Sequence, residues 1–309
     1  MPLKGVEKFR KKLPGYAGKR IMLLAILALL SFSLGLMFLV TLDVLPRFHR
    51  EISFLSIIEP ALPAMGTAVC GIIGFVLIYM VWRKKERLLR ESKRLAYQRG
   101  FKYAVIGIPL IFAAVVHIYL PIEQLPYILS PIPPVNGLTV EFSSTLLGLL
   151  PLPGLTVIPG LTLASFLVQI LGSVVCLALG LLTFRRSLLT FGMDYMGLVY
   201  LYYPKESEIQ RHEIYSVLRH PTYAGVLLIG FGGVLARLSM YSIIFFIIIL
   251  AGLLLHIRFV EEKELIARFG KSFLKYRRKV PALLVRPRKI GAYFRFIAGH
   301  KENPKSRRR

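Results

Sequence analysis

Two polar clusters stand out in the second half of the chain. The first runs Ile214-Tyr215-Ser216-Val217-Leu218-Arg219-His220-Pro221-Thr222-Tyr223-Ala224-Gly225. The second runs Arg258-Phe259-Val260-Glu261-Glu262-Lys263-Glu264-Leu265 and continues to Phe269-Gly270 and Tyr276. Between them lies an apolar stretch broken near its middle by Arg237-Leu238-Ser239, which divides it into a helical hairpin. A hairpin returns its second end to its first, so the two clusters meet at one face. Pro221 is preset for the first turn of a helix and needs no donor there. His220 precedes it at the positive end of the helix dipole, where free amides receive a carboxylate or a ring nitrogen. Gly225 permits close approach of a backbone or a ligand. Glu261 and Glu262 suit a cationic partner such as a sulfonium or an amino group. Taken singly, a His-Pro is an ordinary helix cap and a Glu-rich helix end is a solvated face. Together they offer a partner to each part of a zwitterionic cofactor that carries an aromatic base.

The elements that must position these clusters are membrane spans. A bilayer core of about 30 Å needs roughly 20 apolar residues of helix. Stretches 21–42, 61–82 and 160–184 meet that length without a charge, and 103–122 carries only His117 as a titratable group. The hairpin arms, 221–236 and 240–257, bring the count to about six, the first arm being short. The expectation is an all-α, multi-pass transmembrane protein with a C-terminal helical hairpin and a cytoplasmic cofactor pocket. The net charge of +25 could suggest nucleic acid, but its distribution argues against that partner. Lys and Arg gather in residues 1–20, 83–102, 185–219 and 258–309, while the segment 123–159 has none. With six crossings every rich cluster falls on one side. This is the positive-inside pattern, and it predicts both termini in the cytoplasm. The basic tail is then suited to anionic lipid headgroups.

Three regions follow: 1–122, with three spans and little polar content inside the membrane; a Pro-rich outer loop, 123–159; and 160–309, which holds the polar motifs and the basic tail. The apolar part of the loop, 146–158, is interrupted by Pro151, Pro153 and Gly154 and suits an interfacial or re-entrant segment better than a straight helix. Residues 187–203 read equally well as a helix along the cytoplasmic interface or as a loop with Tyr200, Tyr202 and Tyr203 at headgroup level. Cys70 and Cys176 sit inside expected spans and read as packing residues, with no metal or redox spacing around them.

The text EIYSVLRHPTYAG, then a hydrophobic hairpin, then EEKELIARFGKSFLKYRRKVP resembles the isoprenylcysteine carboxyl methyltransferase and phospholipid methyltransferase superfamily, over roughly residues 160–285. RRSLLTFG, from Arg185 to Gly192, is similar to that family's approach to its site. The resemblance implies S-adenosylmethionine as methyl donor and a lipid-like or prenylated acceptor arriving from the bilayer. By position it assigns Tyr215, His220, Pro221, Thr222, Tyr223 and Glu261 to the cofactor, with Ile209 and Gln210 helping to clasp it. It leaves Glu262 to complete the acidic pair and Arg258 to orient the acceptor, since a guanidinium grips a carboxylate at two points. An isoprenylcysteine-type carboxylate is the first acceptor implied. A phospholipid amine, an NADPH-dependent sterol reductase and a non-enzymatic membrane scaffold stand as alternatives. Three positions depart from the pattern: Glu213 where the family often has Gly, Ile257 where it has the arginine, and Phe273 where it commonly has Tyr.

Overall fold

A computed structural model describes residues 5–49, 51–119, 159–206, 208–236 and 240–300. The Pro-rich loop expected at 123–159 lies outside these, except for Pro159, as does the end of the basic tail. The principal helices are α1 (Ile21–Phe48), α2 (Leu62–Arg83), α3 (Ala96–Tyr119), α4 (Pro159–Phe191), α5 (Pro221–Ala236), α6 (Met240–His256), α7 (Glu262–Phe269), α8 (Lys271–Lys279) and α9 (Ile290–Ile297). There is no strand among the described residues. The protein is all-α, and five of its helical runs are long and apolar enough to cross a bilayer. The last of these runs from Tyr241 to Phe269, through α6, a π-helical turn and α7. The sixth apolar helix, α5, has 16 residues and is about 24 Å long, short of a full hydrocarbon core. Apolar side chains such as Leu29, Ile72 and Leu171 are more than 60% exposed, which is costly in water and expected against lipid.

Hydropathy places the ends of two spans too early. The first continues to Phe48 and the fourth to Phe191. Asp43 and Arg185-Arg186 interrupt the apolar runs, so a hydropathy limit stops before the helix does. Beyond Phe191 the chain forms no continuous interfacial helix. Gly192 at φ 102° and Leu198 at φ 60° break it into two single turns, Met193–Met196 and Val199–Tyr202.

The chain divides into two units. One comprises Arg10–Ile170 and Gly233–Phe245. Here α2 and α3 cross where Gly74 faces Gly107. A Cβ on either would come within 3 Å of the other's carbonyl oxygen, so neither tolerates a side chain at the present spacing. Asp43, carried into the bundle by the extension of α1, is 3% exposed. Its Oδ2 lies 2.8 Å from His117 Nε2. The other ring nitrogen of His117 lies 3.0 Å from both Thr67 Oγ1 and Tyr241 OH. All four side chains are buried, so this polar node joins α1, α2, α3 and α6. Interhelical hydrogen bonds of this kind contribute about 0.6–2 kcal/mol each in a membrane.

The other unit comprises Met1–Phe9, Leu171–Gly232 and Phe246–Arg309. Gly180 of α4 and Gly225 of α5 form a second close crossing. A Cβ at Gly225 would lie 2.9 Å from Gly180 O and from Phe184 N, both backbone atoms. The hydroxyl of Ser173 donates to Gly232 O at 2.9 Å further along the same pair. Phe231 and Phe246 face each other across the hairpin with ring centroids 5.9 Å apart. The amphipathic α9 turns Tyr293 and Ile297 inward onto a core of Ile214, Tyr215, Val217, Leu218 and Ala224. The phenol of Tyr293 hydrogen-bonds Thr183 of α4. The segment bearing the first polar cluster is thus held between α4 and the C-terminal helix.

Candidate active site

The cluster around Tyr215 begins with a turn, Glu213–Ser216, whose first residue has φ 52°. This left-handed conformation is the one glycine adopts freely and other residues adopt at a cost of about 1–2 kcal/mol. A glycine at this position would adopt it without that cost. Glu213 occupies the position because its carboxylate is anchored twice, by Arg186 Nη2 at 2.9 Å and by the hydroxyl of Thr190 at 2.8 Å. After the turn the backbone is pinned to the segment following α8. Arg219 N donates to Pro281 O at 2.9 Å, and His220 N donates to Ala282 O at 3.1 Å. Pro221 then starts α5, and His220 O accepts the first helical bond from Ala224 N.

The π-helical turn Ile257–Glu261 joins α6 to α7 and aims the two acidic residues differently. Glu262 is 3% exposed and bound by Arg219 Nη2 at 2.8 Å and Arg277 Nε at 3.1 Å, with His220 Nε2 at 3.4 Å. It faces the basic scaffold and does not line the cavity. Glu261 does line it. Its Oε1 lies 3.5 Å from His220 Nδ1, while its buried Oε2 has no hydrogen-bond partner among the described residues. Burial disfavours a charged imidazole at His220, but Glu261 and Glu262 outweigh that effect and raise its pKa to about 9. His220 is therefore a cation at neutral pH. Burial also raises the pKa of the Tyr215 phenol, which stays neutral and pairs with Ser187 Oγ at 2.7 Å. Tyr276 donates its hydroxyl to Tyr215 O at 2.7 Å, fixing the backbone behind the ring.

The cavity bounded by these groups measures about 210 Å³. Of the residues assigned from sequence, Ile209, Gln210, Tyr215, His220, Thr222, Tyr223 and Glu261 line it. Pro221 is buried at the start of α5 without lining it. Arg258 is exposed, with its guanidinium 5.7 Å from the ring of Phe259, and is not among the lining residues. The position one residue earlier, where an arginine is expected, holds Ile257, which is 4% exposed. Phe273 lines the cavity, so an aromatic ring is retained there without its hydroxyl.

Sequence reasoning misses part of the wall. Phe191 stacks on Tyr215 at 5.2 Å and packs against Tyr195 at 4.4 Å. Arg268 lies over the Tyr200 ring at 4.9 Å and pairs with Glu264. The available signal is the density of tyrosines in 195–203, which reads equally well as a headgroup belt. Together these groups suit a zwitterion with a flat base. The aromatic wall offers a stacking face and the unpartnered Oε2 of Glu261 suits an amino group, while both ring nitrogens of His220 are turned towards Glu261 and Glu262. Among the described residues no cluster of His, Cys, Asp or Glu fits a metal ion.

Neither the curated proteins nor the solved structures contain a match to the chain. Residues 168–272 match the family model described as phospholipid methyltransferase. This segment runs from within α4 to the start of α8 and contains most of the residues that line the cavity, so the similarity to the phospholipid methyltransferase family covers the part of the chain that builds the site.

Proposed function

We propose that this protein transfers the methyl group of S-adenosylmethionine to the headgroup of a membrane lipid, at a site that opens on the cytoplasmic side. The observation that carries the reading is the buried, unpartnered Glu261 Oε2, set in one cavity with the His220 cation and the Phe191–Tyr215 stack. Gln210, His220 and Glu261 would hold the polar end of the cofactor, and the aromatic rings its base. When bound, the cofactor supplies an electrophilic methyl group on a sulfonium. The residues of the chain orient the acceptor, exclude water and set the line of attack. A basic, positive-inside charge distribution supports cytoplasmic termini and a cytoplasmic cavity.

Two acceptors suit such chemistry, an isoprenylcysteine carboxylate and a phospholipid amine. The amine is favoured because Arg258, the residue suited to grip a carboxylate, is turned outward over Phe259. The matched family description, phospholipid methyltransferase, points the same way. The test is label transfer by the purified full-length protein in phosphatidylethanolamine vesicles, with S-adenosylmethionine labelled in its methyl group. Label in the N-methylated phospholipid supports the reading. Label only in an added prenylated cysteine would turn it to the carboxylate, and no label in any lipid would end it.

A further inference from the structure

The two polar clusters leave out a histidine that the fold brings to the same place. His256 ends α6, immediately before the π-turn, and Glu261 ends that turn. In an α-helix residues five apart lie about 140° from each other around the axis. A π-turn closes on the fifth residue and sets them one above the other. The charges of His256 and Glu261 are accordingly close enough to interact. From α5, Tyr223 meets the His256 ring edge to face, with centroids 6.3 Å apart at 85°. Tyr223 in turn stacks on His220 at 5.9 Å. His256 is half-buried and is not among the lining residues, while its neighbours Tyr223 and Glu261 are. Its neighbours Leu254, Leu255, Phe259 and Val260 are exposed along the apolar run. His256 therefore stands where the lipid-facing surface of α6 gives way to the cavity.

Resting on the reading above, we propose that His256 is the general base of the transfer and accepts the proton of a lipid amine that reaches the site along α6. An amine headgroup is protonated at neutral pH and has no lone pair with which to attack. Loss of one N–H proton to an imidazole nitrogen of His256 frees that pair. The nitrogen then bonds to the methyl carbon, and the carbon–sulfur bond breaks with its electrons remaining on sulfur. The products are a methylated ammonium, a neutral thioether and an imidazolium at His256, which returns its proton to water. Glu261 stabilises that imidazolium, and the Tyr223 edge holds the ring plane. Other titratable and charged groups of this region include His220, Tyr200 and Tyr215 near Tyr223, Glu262 against His220, and Arg258, which faces outward. A carboxylate acceptor would need no base, so this role for His256 belongs to an amine acceptor alone.

The experiment uses the full chain in phosphatidylethanolamine vesicles, with His256→Gln and His256→Ala beside the unchanged protein. Cofactor affinity is measured by titration, and kcat is followed against pH. The expected result is cofactor affinity within about threefold of the unchanged protein and kcat reduced about 100-fold or more. The acid limb of the kcat profile should also disappear in both variants. Unchanged kcat and an intact acid limb in variants that bind cofactor would overturn the role of His256 while leaving the methyltransferase reading standing. A protein that binds no cofactor and labels no lipid overturns both.

Discussion

Arg219 Nη2 lies 2.8 Å from Glu262 Oε1, an ion pair that ties the residue before the His-Pro helix start to the residue after the π-turn. Both side chains are at most 10% exposed, and Arg277 approaches the other oxygen of the same carboxylate from the half-exposed side. Removing one member of such a buried pair leaves a charge without compensation and costs about 3–5 kcal/mol. Glu262→Gln is expected to lower the unfolding midpoint of the detergent-solubilised protein by several degrees. Arg277→Ala, exposed to water and screened, should cost less than about 1 kcal/mol. Equal effects of the two changes would contradict this division.

The pH dependence of stability carries the sign of His220. Its folded-state pKa of about 9 is above the value of about 6.5 expected in an unfolded chain. Its contribution is therefore complete below about pH 6.5 and is lost as pH rises through about 9. Thermal midpoints measured between pH 6 and 10 should fall across that window, and His220→Gln should flatten the fall. A midpoint that rises from pH 7 to 9 in the unchanged protein would reverse the assignment.

The buried node of Asp43 and His117 predicts a compensating pair of substitutions. His117→Leu leaves the Asp43 carboxylate buried without its nearest partner and should cost about 3 kcal/mol or more. Adding Asp43→Leu removes the stranded charge and should restore most of the loss, because replacing both partners by apolar groups is close to neutral. Unfolding of the single and double variants in detergent measures the difference. A double variant weaker than the single one would show that the node does more than join helices.

At Glu213 backbone strain and an ion pair oppose each other. Glu213→Gly relieves a left-handed residue by about 1 kcal/mol but strips Arg186 of a carboxylate at 2.9 Å, and both side chains are at most 16% exposed. Loss of the ion pair outweighs relief of the strain, so the expected net effect is a destabilisation of about 2 kcal/mol. Chemical unfolding of the variant checks the sign.

Much of this architecture is legible in the sequence because bilayer physics is coarse. A charge-free run of about 20 residues has few alternatives to a spanning helix. The hairpin Pro221–Ala236 and Met240–His256 follows from the break at 237–239 and from Pro221. Seven of the eight residues assigned to the cofactor line one cavity: the hairpin returns Glu261 to the level of His220, Thr222 and Tyr223, and Ile209, Gln210 and Tyr215 come from the segment before it. What stays hidden depends on geometry that spacing does not encode. The π-turn turns Arg258 outward and brings His256 beside Glu261, whereas α-helical periodicity implies neither. The division of labour between Glu261 and Glu262 follows from Arg219 and Arg277, which come from separate segments. Hydropathy leaves Asp43 out of the first span because it stops at the charge, while the helix continues to a buried histidine partner.

The most direct test of the central claim is equilibrium titration of the purified protein, in lipid vesicles, with S-adenosylmethionine. The unchanged protein should bind it, and Glu261→Ala should weaken binding by about 10- to 100-fold, the range for a lost hydrogen bond to a charged group. The Glu261→Ala protein should still give the elution profile of a folded, monodisperse species. No binding by the unchanged protein, or binding unaltered by Glu261→Ala, would contradict the account.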